Sequence, residues 1–326
     1  MPEVKKIRVG IVGGAGYTAG ELIRILLYHP SVELKYIQSS SNNGRLISAI
    51  HTDLLGDTGQ VFADVDFEDT DVLFLCSGHG KSIDFLTRTA LPARVKIIDL
   101  SHDFRLKRDG NDFVYGLPEL NRGQIRSATK IANPGCFATA IQLALLPLAT
   151  AGLLSDDVHV HAITGSTGAG QAPSPTSHFS WRDNNLSVYK AFEHQHLGEI
   201  YQSLYQAQPG FSKELNFIPV RGNHTRGIFV TAYTKFEGTS EAATRLFTNF
   251  YDTHPFVNLA PVNPDLKQVV NTNKGLLFLE KHGSNLMIIS CIDNLLKGAS
   301  GQAVQNMNLM FGIDERCGLN LKSIGF

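Results

Sequence analysis

Ile7-Arg8-Val9-Gly10-Ile11-Val12-Gly13-Gly14-Ala15-Gly16-Tyr17-Thr18-Ala19-Gly20 is the stretch whose reading decides the fold. Its first six residues read as a buried strand. Apolar Leu22, Ile23, Leu26 and Leu27 then predict a helix from Glu21 to Tyr28. Strand, glycine turn, helix is the context that a dinucleotide-binding turn requires. The glycines let the backbone approach a pyrophosphate, which then lies on the helix N-terminus. The spacing, Gly10, Gly13, Gly16, is GxxGxxG rather than the commoner GxGxxG, and a plain tight turn would also satisfy it. Its place at the first strand favours the cofactor.

Working outward, Val32 to Gln38 is a second strand. NAD sites usually close this strand with a carboxylate on the ribose hydroxyls. Here it runs into Ser39-Ser40-Ser41-Asn42-Asn43-Gly44-Arg45. Hydroxyls and an arginine suit a 2′-phosphate, so NADP(H) is the expected cofactor, with Ser39, Ser41 and Arg45 as contacts. Asp71 to Cys76 is the next strand. Its turn, Ser77-Gly78-His79-Gly80-Lys81-Ser82, predicts backbone contact with the cofactor at Gly78 and makes His79 a loop residue. Val95 to Leu100 is another strand, ending in Ser101-His102-Asp103-Phe104-Arg105. Ligands of such sheets bind beyond the carboxyl ends of the strands. Arg105 is therefore placed to clamp a phosphate or carboxylate, or else to make a surface salt bridge. The alternation of strands and helices gives a Rossmann-type, doubly wound parallel sheet.

Lys130-Ile131-Ala132 reads as a short strand and Ala138 to Leu146 as a helix, with Asn133-Pro134-Gly135-Cys136-Phe137 between them. Pro134 and Gly135 break the strand, which puts Cys136 at or next to the helix N-terminus. Backbone N–H groups and the helix dipole favour an anion there. A thiol of pKa about 8.5 is only roughly 3 % thiolate at pH 7, and a drop of about two units makes it mostly thiolate. The same N–H groups could hold an oxyanion. Cys136 is thus a candidate nucleophile, and equally a candidate buried structural cysteine.

The pattern changes after this helix. Val158 to Ile163 alternates as a strand, with His159 and His161 on one face but no third metal ligand placed nearby; no metal is expected. Thr164 to Gln171 is a second glycine-rich turn. The long loop Ala172 to Lys190, with Pro173, Pro175 and Trp181, has the length of a lid or an oligomer arm. Leu197, Ile200, Tyr201 and Leu204 form a helical stripe from Phe192 to Gln206. That places His194 and His196 in the first turn, where the dipole keeps an imidazole neutral and able to act as a base. Strands at Asn216–Val220, Gly227–Phe236, Leu276–Glu280 and Leu286–Cys291, with a helix at Ser240–Tyr251, predict an α+β half with a mixed, largely antiparallel sheet. A last helix, carrying Val304, Met307, Leu309 and Met310, is expected to return to the first domain.

The 326 residues suffice for two cores. With 43 % hydrophobic and 18 % charged residues and a net charge of -1, nothing favours nucleic acid or an anionic membrane. Cys76, Cys136, Cys291 and Cys317 form no CxxC pair and fit a reducing, cytoplasmic setting. No apolar run is long enough to span a bilayer, and Met1 to Lys6 lead into a strand with no secretory signal.

Together these segments resemble N-acetyl-gamma-glutamyl-phosphate reductase, a family related to aspartate-semialdehyde dehydrogenase. Gly13 to Leu22 is similar to its NADP turn, and Asp99 to Leu106 to its Asp-Leu-Ser-x-Asp-Phe-Arg-Leu stretch. Tyr115-Gly116-Leu117-Pro118-Glu119 matches its Tyr-Gly-Leu-Pro-Glu. Asn133 to Thr139 resembles its nucleophile motif, with Phe137 where tyrosine is usual, and Asp293 to Gln305 its closing segment. The resemblance implies that Cys136 attacks an acyl phosphate, that NADPH reduces the thioester, and that His194, with His196 second, is the acid/base group. It places Gly13, Ala15, Gly16, Tyr17, Thr18, Gly168 and Asn294 on the cofactor, and Ser101, Arg105, Asn133 and Arg226 on the substrate, a small acyl phosphate. It also implies an NADP-binding domain at 1–135 with 297–326, a catalytic domain at 136–296, and a homodimer or homotetramer joined through the second sheet. Thr167, Gln171, His102 and Asn223-His224 depart from the family's usual residues around the acyl and amino-acid ends of the substrate. Acetyl is the default acyl group, with succinyl or a carrier-linked substrate open. Aspartate-semialdehyde dehydrogenase and a non-catalytic NADPH sensor remain as rivals.

Overall fold

The structure, a computed structural model, describes residues 6–78 and 80–325. His79 and the segment before Lys6 lie outside the described residues, and with them the readings made there. The chain forms two compact units. One holds the chain up to Pro134 with Ala299–Asn320; the other holds Gly135–Gly298 with the residues from Leu321 on.

In the first unit β1 (Ile7–Val12), β2 (Val32–Gln38), β3 (Val72–Leu75), β4 (Lys96–Asp99), β5 (Val114–Tyr115) and β6 (Lys130–Ala132) form one sheet in the order β2-β1-β3-β4-β6-β5. Every neighbouring pair is parallel. Helix α1 (Tyr17–Leu27) buries Ala19, Leu22, Ile23, Ile25 and Leu26, the stripe the sequence predicts. It starts at Tyr17, four residues earlier than the apolar pattern alone indicates. Helices α2 (Lys81–Arg88) and α3 (Pro118–Ser127) complete the alternation. The Asp103 carboxylate accepts the N–H groups of Gly80 (2.7 Å), Ser82 (3.1 Å) and Ile83 (3.2 Å), so a residue from the next loop caps α2.

In the second unit α4 (Cys136–Thr150) is buried from Phe137 to Ala149. A seven-stranded sheet follows from β7 (Val158–Thr164), β8 (Ser187–Val188), β9 (Leu215–Arg221), β10 (Ile228–Lys235), β11 (Val257–Leu259), β12 (Gly275–His282) and β13 (Asn285–Ile292), in the order β11-β12-β13-β10-β7-β9-β8. Four of its pairs are antiparallel, while β7–β9 and β11–β12 are parallel. The α+β reading holds. Within the long loop lie α5 (Phe179–Arg182) and β8, so part of that loop is an edge strand. Helices α6 (Leu197–Ala207) and α7 (Ser240–Tyr251) join α4 in one apolar cluster with Val160, Phe217, Val230 and Ile288 of the sheet. The last helix, α8 (Ser300–Met310), belongs to the first unit, where Lys96 Nζ donates to the Met310 carbonyl at its C-terminus (2.5 Å).

Two expectations need correction. Helix α6 begins at Leu197, not Phe192: Lys190 and Phe192 are left-handed (φ 47° and 63°), and the Phe192 N–H is held by the Phe217 carbonyl of β9 (2.9 Å). The residues from Leu321 on do not stay with the first unit. The Lys322 carbonyl accepts from Asn271 Nδ2 (3.0 Å), and the Gly325 N–H donates to the Lys267 carbonyl (3.2 Å).

Pro147 lies inside α4 and has no N–H for the carbonyl four residues back, that of Leu143. The Tyr251 hydroxyl of α7 donates to that carbonyl instead (2.6 Å). Tyr251→Phe should therefore cost about 1–2 kcal/mol. In a Pro147→Ala background the penalty should shrink, because the helix can supply its own donor; a double-mutant cycle by urea unfolding measures the difference.

Candidate active site

In the first unit the glycine turn follows β1 directly. Gly10 lies inside β1, so the turn itself is Gly13-Gly14-Ala15-Gly16. Gly13 is left-handed (φ 84°), and a Cβ there would lie 2.5 Å from the Ser77 nitrogen. Gly16 is the N-cap of α1. It carries no side-chain cap, and a Cβ on it would meet nothing within 4 Å. An uncapped helix start facing open space fits the pyrophosphate of a dinucleotide. Tyr17 is 40 % exposed beside it, and the Thr18 carbonyl accepts from Ser300 Oγ (2.7 Å). Gly78 is also left-handed (φ 92°) with open space around its Cα.

Beyond β2 the polar loop is tied together by a residue the sequence reading passed over. Asn42 donates to Ser39 Oγ (3.0 Å) and Ser41 Oγ (3.1 Å), and its Oδ1 accepts from Arg45 (3.0 Å). Asn42 thereby gathers the three residues expected on a 2′-phosphate, and the group fits NADP(H). The signal was local, since Asn42 is itself in the quoted Ser39–Arg45 run.

The residues expected on the substrate in this unit are bound internally. Ser101 Oγ donates to Asp99 Oδ2 (2.7 Å) and accepts from the Asp103 N–H (3.1 Å). Asn133 donates through Nδ2 to the Ala299 carbonyl (3.0 Å) and accepts at Oδ1 from Asn306 (3.1 Å). Both hold the loops in place. Arg105 is buried, with Nε on the Asn133 carbonyl (2.9 Å) and Nη2 on the Leu100 carbonyl (3.1 Å). Burial raises the Asp99 carboxyl above its ordinary range, against the pull of Ser82, Ser101 and Arg105.

In the second unit Cys136 is the first residue of α4, and Gly135 is its N-cap with no side chain to close it. The Gly135 N–H donates to Glu199 Oε2 (2.9 Å), and the other carboxylate oxygen lies 3.9 Å from His196 Nε2. The His196 ring packs against Gly135, where a Cβ would come within 2.4 Å of Nε2. Glu199 is buried, and sequence reasoning missed it; three residues after His196, it shares that histidine's helix face.

His196 stands at the N-cap position of α6 without a side-chain cap, while His194 lies before the helix and accepts the His196 N–H at Nδ1 (3.2 Å). The His194 ring sits among Phe137 (5.4 Å), Phe217 (5.5 Å) and Tyr189 (5.7 Å). Its pKa falls to about 4, from burial first and then the charges of Lys190 and Arg221, rather than from a helix dipole. Tyr189 is pushed up to about 12 by burial and by the Cys136 charge. Cys76 and Cys291 are raised by burial.

The turn Asp293–Gly298 lies on the cysteine: a Cβ on Gly298 would be 2.8 Å from Cys136 Cβ. Asn294 Oδ1 accepts the Gly227 N–H (2.7 Å), and Nδ2 donates to Thr167 Oγ1 (3.0 Å), close to Gly168. Asn294 thus joins the second glycine turn to the Arg221–Gly227 loop. Arg226 pairs with the fully buried Asp293 (2.9 Å). Among the described residues no group of His, Cys, Asp and Glu is arranged to hold a metal; His159 stacks on Tyr233 at 4.8 Å.

Comparison with known proteins agrees over nearly the whole chain. The model of the semialdehyde dehydrogenase NAD binding domain matches residues 8–128, and that of the semialdehyde dehydrogenase dimerisation domain matches residues 136–294. A protein of Christiangramia forsetii named N-acetyl-gamma-glutamyl-phosphate reductase is 59 % identical over 97 % of this chain and 99 % of its own. One of Flavobacterium johnsoniae with the same name is 56 % identical over 98 % and 100 %. The chain belongs to the N-acetyl-gamma-glutamyl-phosphate reductase family. It is an oxidoreductase of the semialdehyde dehydrogenase type, with the NAD-binding domain of that family. Among solved structures it is similar in fold to aspartate semialdehyde dehydrogenase II of Vibrio cholerae (TM-score 0.76, 18 % identity, 94 % of this chain and 99 % of that one). The Candida albicans aspartate semialdehyde dehydrogenase with NADP is similar too (TM-score 0.70, 12 % identity, 94 % and 99 %). No helix of the described residues is long and apolar enough to cross a membrane.

Two measurements follow from this geometry. Asn42→Ala should raise KM for NADPH roughly 10-fold while changing KM for NADH by less than about 2-fold, read from initial rates with each cofactor. An unfolded histidine titrates near 6.5 and folded His194 at about 4, so between these values the unfolded chain binds the extra proton. Stability should fall on acidification through that window, by on the order of 2–3 kcal/mol. Urea unfolding at pH 7 and pH 4.5 should show that part of the loss absent in His194→Gln.

Proposed function

We propose that this chain reduces N-acetyl-L-glutamyl 5-phosphate to the 5-semialdehyde and phosphate through a thioester on Cys136, the step this family performs in arginine biosynthesis. The observation that carries the reading is the placement of Cys136 at the open start of α4, beside Gly135, His196 and Glu199. The helix start favours negative charge at the sulfur. The Cys136 sulfur attacks the acyl carbon, the carbon–oxygen bond to phosphate breaks, and the helix N–H groups stabilise the oxyanion in between. NADPH, when bound, supplies the hydride that reduces the thioester carbonyl. The thiohemiacetal on Cys136 then collapses: its oxygen loses a proton, the carbon–sulfur bond breaks, and the semialdehyde leaves.

His196 is the proton-transfer group of this proposal, because Glu199 lies within reach to steady its charged form. His194, first choice on the resemblance, is neutral above about pH 5 and ringed by aromatic side chains; it fixes the His196 backbone and becomes the second choice. Arg105 is the proposed grip on the substrate phosphate. Gly13, Ala15, Gly16, Tyr17, Thr18, Ser39, Ser41, Arg45 and Gly78 are proposed to hold NADP(H), with Gly168 and Asn294 toward its nicotinamide.

A homodimer or homotetramer in the cytoplasm is also proposed. It is supported by the half-buried Phe229, Leu276, Phe278 and Met287 on one sheet face and by four free cysteines. Light scattering at micromolar protein should report more than one chain.

The deciding experiment follows NADP reduction in the reverse direction with N-acetyl-glutamate semialdehyde and phosphate. Cys136→Ala should abolish turnover, by at least about 10³-fold, with the fold intact by circular dichroism. Activity that survives the substitution would overturn the thioester route. His196→Gln should lower kcat about 100-fold or more, and more than His194→Gln does.

A further inference from the structure

We propose that Arg221, stacked on Tyr189, forms a carboxylate-binding subsite for the substrate beside His194. The inference rests on the reading of the reaction above and deepens it.

Arg221 ends β9, level with Thr164 of β7 and Ser187 of β8. Its guanidinium lies over the Tyr189 ring at 4.7 Å, and that ring is 5.7 Å from the ring of His194. The charge of Arg221 acts on both His194 and Tyr189, and Tyr189 also feels Cys136. These residues share one locale with the nucleophile. Among the described residues no carboxylate pairs with Arg221, and its Nε is buried with no hydrogen-bond partner.

The surroundings are cationic as well. Arg182 is buried and donates to the carbonyls of Arg221 (3.2 Å) and Thr176 (3.1 Å), with its own guanidinium on the Trp181 ring. Lys190 is nearby too, and its charge acts on His194 together with that of Arg221. Partly burying an arginine without a counter-charge is costly, and converging cations against aromatic walls draw in an anion. The guanidinium fork suits a carboxylate in bidentate geometry. Arg226 differs, because its guanidinium is on Asp293.

Two carboxylates could supply the ligand: the α-carboxylate of the glutamyl moiety, or one on the acyl group. Three aldehydes separate them: N-acetyl-glutamate semialdehyde, N-succinyl-glutamate semialdehyde, and 4-acetamidobutanal, which lacks both carboxylates. Each is assayed with phosphate and NADP in wild type, Arg221→Gln and Arg221→Lys. If Arg221 reads the α-carboxylate, Arg221→Gln should raise KM roughly 10- to 100-fold for the first two, with kcat within about 3-fold. The penalty on 4-acetamidobutanal should then be at least about 10-fold smaller, and Arg221→Lys should recover part of the loss. A penalty confined to the N-succinyl substrate assigns the subsite to the acyl carboxylate. An equal penalty on all three aldehydes, or none on any, overturns the proposal. Should wild type turn over none of them, the reaction assignment fails and the subsite is still tested. In that case glutarate should slow alkylation of Cys136 by iodoacetamide in wild type and do so at least about 10-fold less effectively in Arg221→Lys; equal protection would overturn the proposal.

Discussion

A buried carboxylate fixes the start of the longest helix in the chain. Glu199 takes the Gly135 N–H from across the second unit and faces His196 with its other oxygen. Burying such a group is unfavourable unless its oxygens are engaged, so its placement commits both partners. The N-cap of α4 cannot shift without stranding the carboxylate. Because α6 carries both Glu199 and His196, the packing of α6 on α4 also sets where an imidazole stands relative to the first residue of α4. The Asp293–Gly298 turn adds a second constraint, since only a glycine at 298 lets it approach the cysteine.

The first unit uses the same device on a loop. Asp99, Ser101 and Asp103 occupy alternate positions from the last residue of β4 onward; Asp99 is held by Ser82 and Ser101, and Asp103 caps α2. The cap sets α2 apart from α1, whose start has no side-chain cap and suits an anion. That asymmetry has a physical origin in the sequence. Glycines at 13, 14 and 16 provide no oxygen to cap α1, whereas the turn before α2 is served by an aspartate twenty residues on.

Features carried by local pattern were legible in the sequence. The β1 turn, the Cys136 helix start, both sheets and the return of α8 all follow from periodicity and from glycine and proline chemistry. Features that depend on distant partners were not. Nothing near Arg221 in sequence announces that no carboxylate among the described residues pairs with it, and nothing near Glu199 announces Gly135 as its partner. The start of α6 was misread because the apolar stripe runs backward into Phe192. The hydrogen bond to Phe217 and the left-handed backbone there keep Phe192 out of the helix. Arg226, Ser101 and Asn133 look in sequence like free polar groups. Their side chains turn inward because a buried aspartate or a helix end needs them.

The hydrogen bond from Asn133 to Ala299 joins the residue just before the chain leaves the first unit to the residue at which it comes back. All of the second unit except the residues from Leu321 on is therefore a single excursion from the first, and closing even so long a loop costs little more than closing a short one. For a ribosome, however, the order is unforgiving. Helices α1 and α3 are synthesised early but must wait for α8, near the end of the chain, to pack against them, while the inserted segment can gather its sheet and helices first. Nascent chains halted before Ser300 would carry a nearly finished second unit and an open first one, so a quality-control protease should meet the uncovered sides of α1 and α3, not the site around the cysteine.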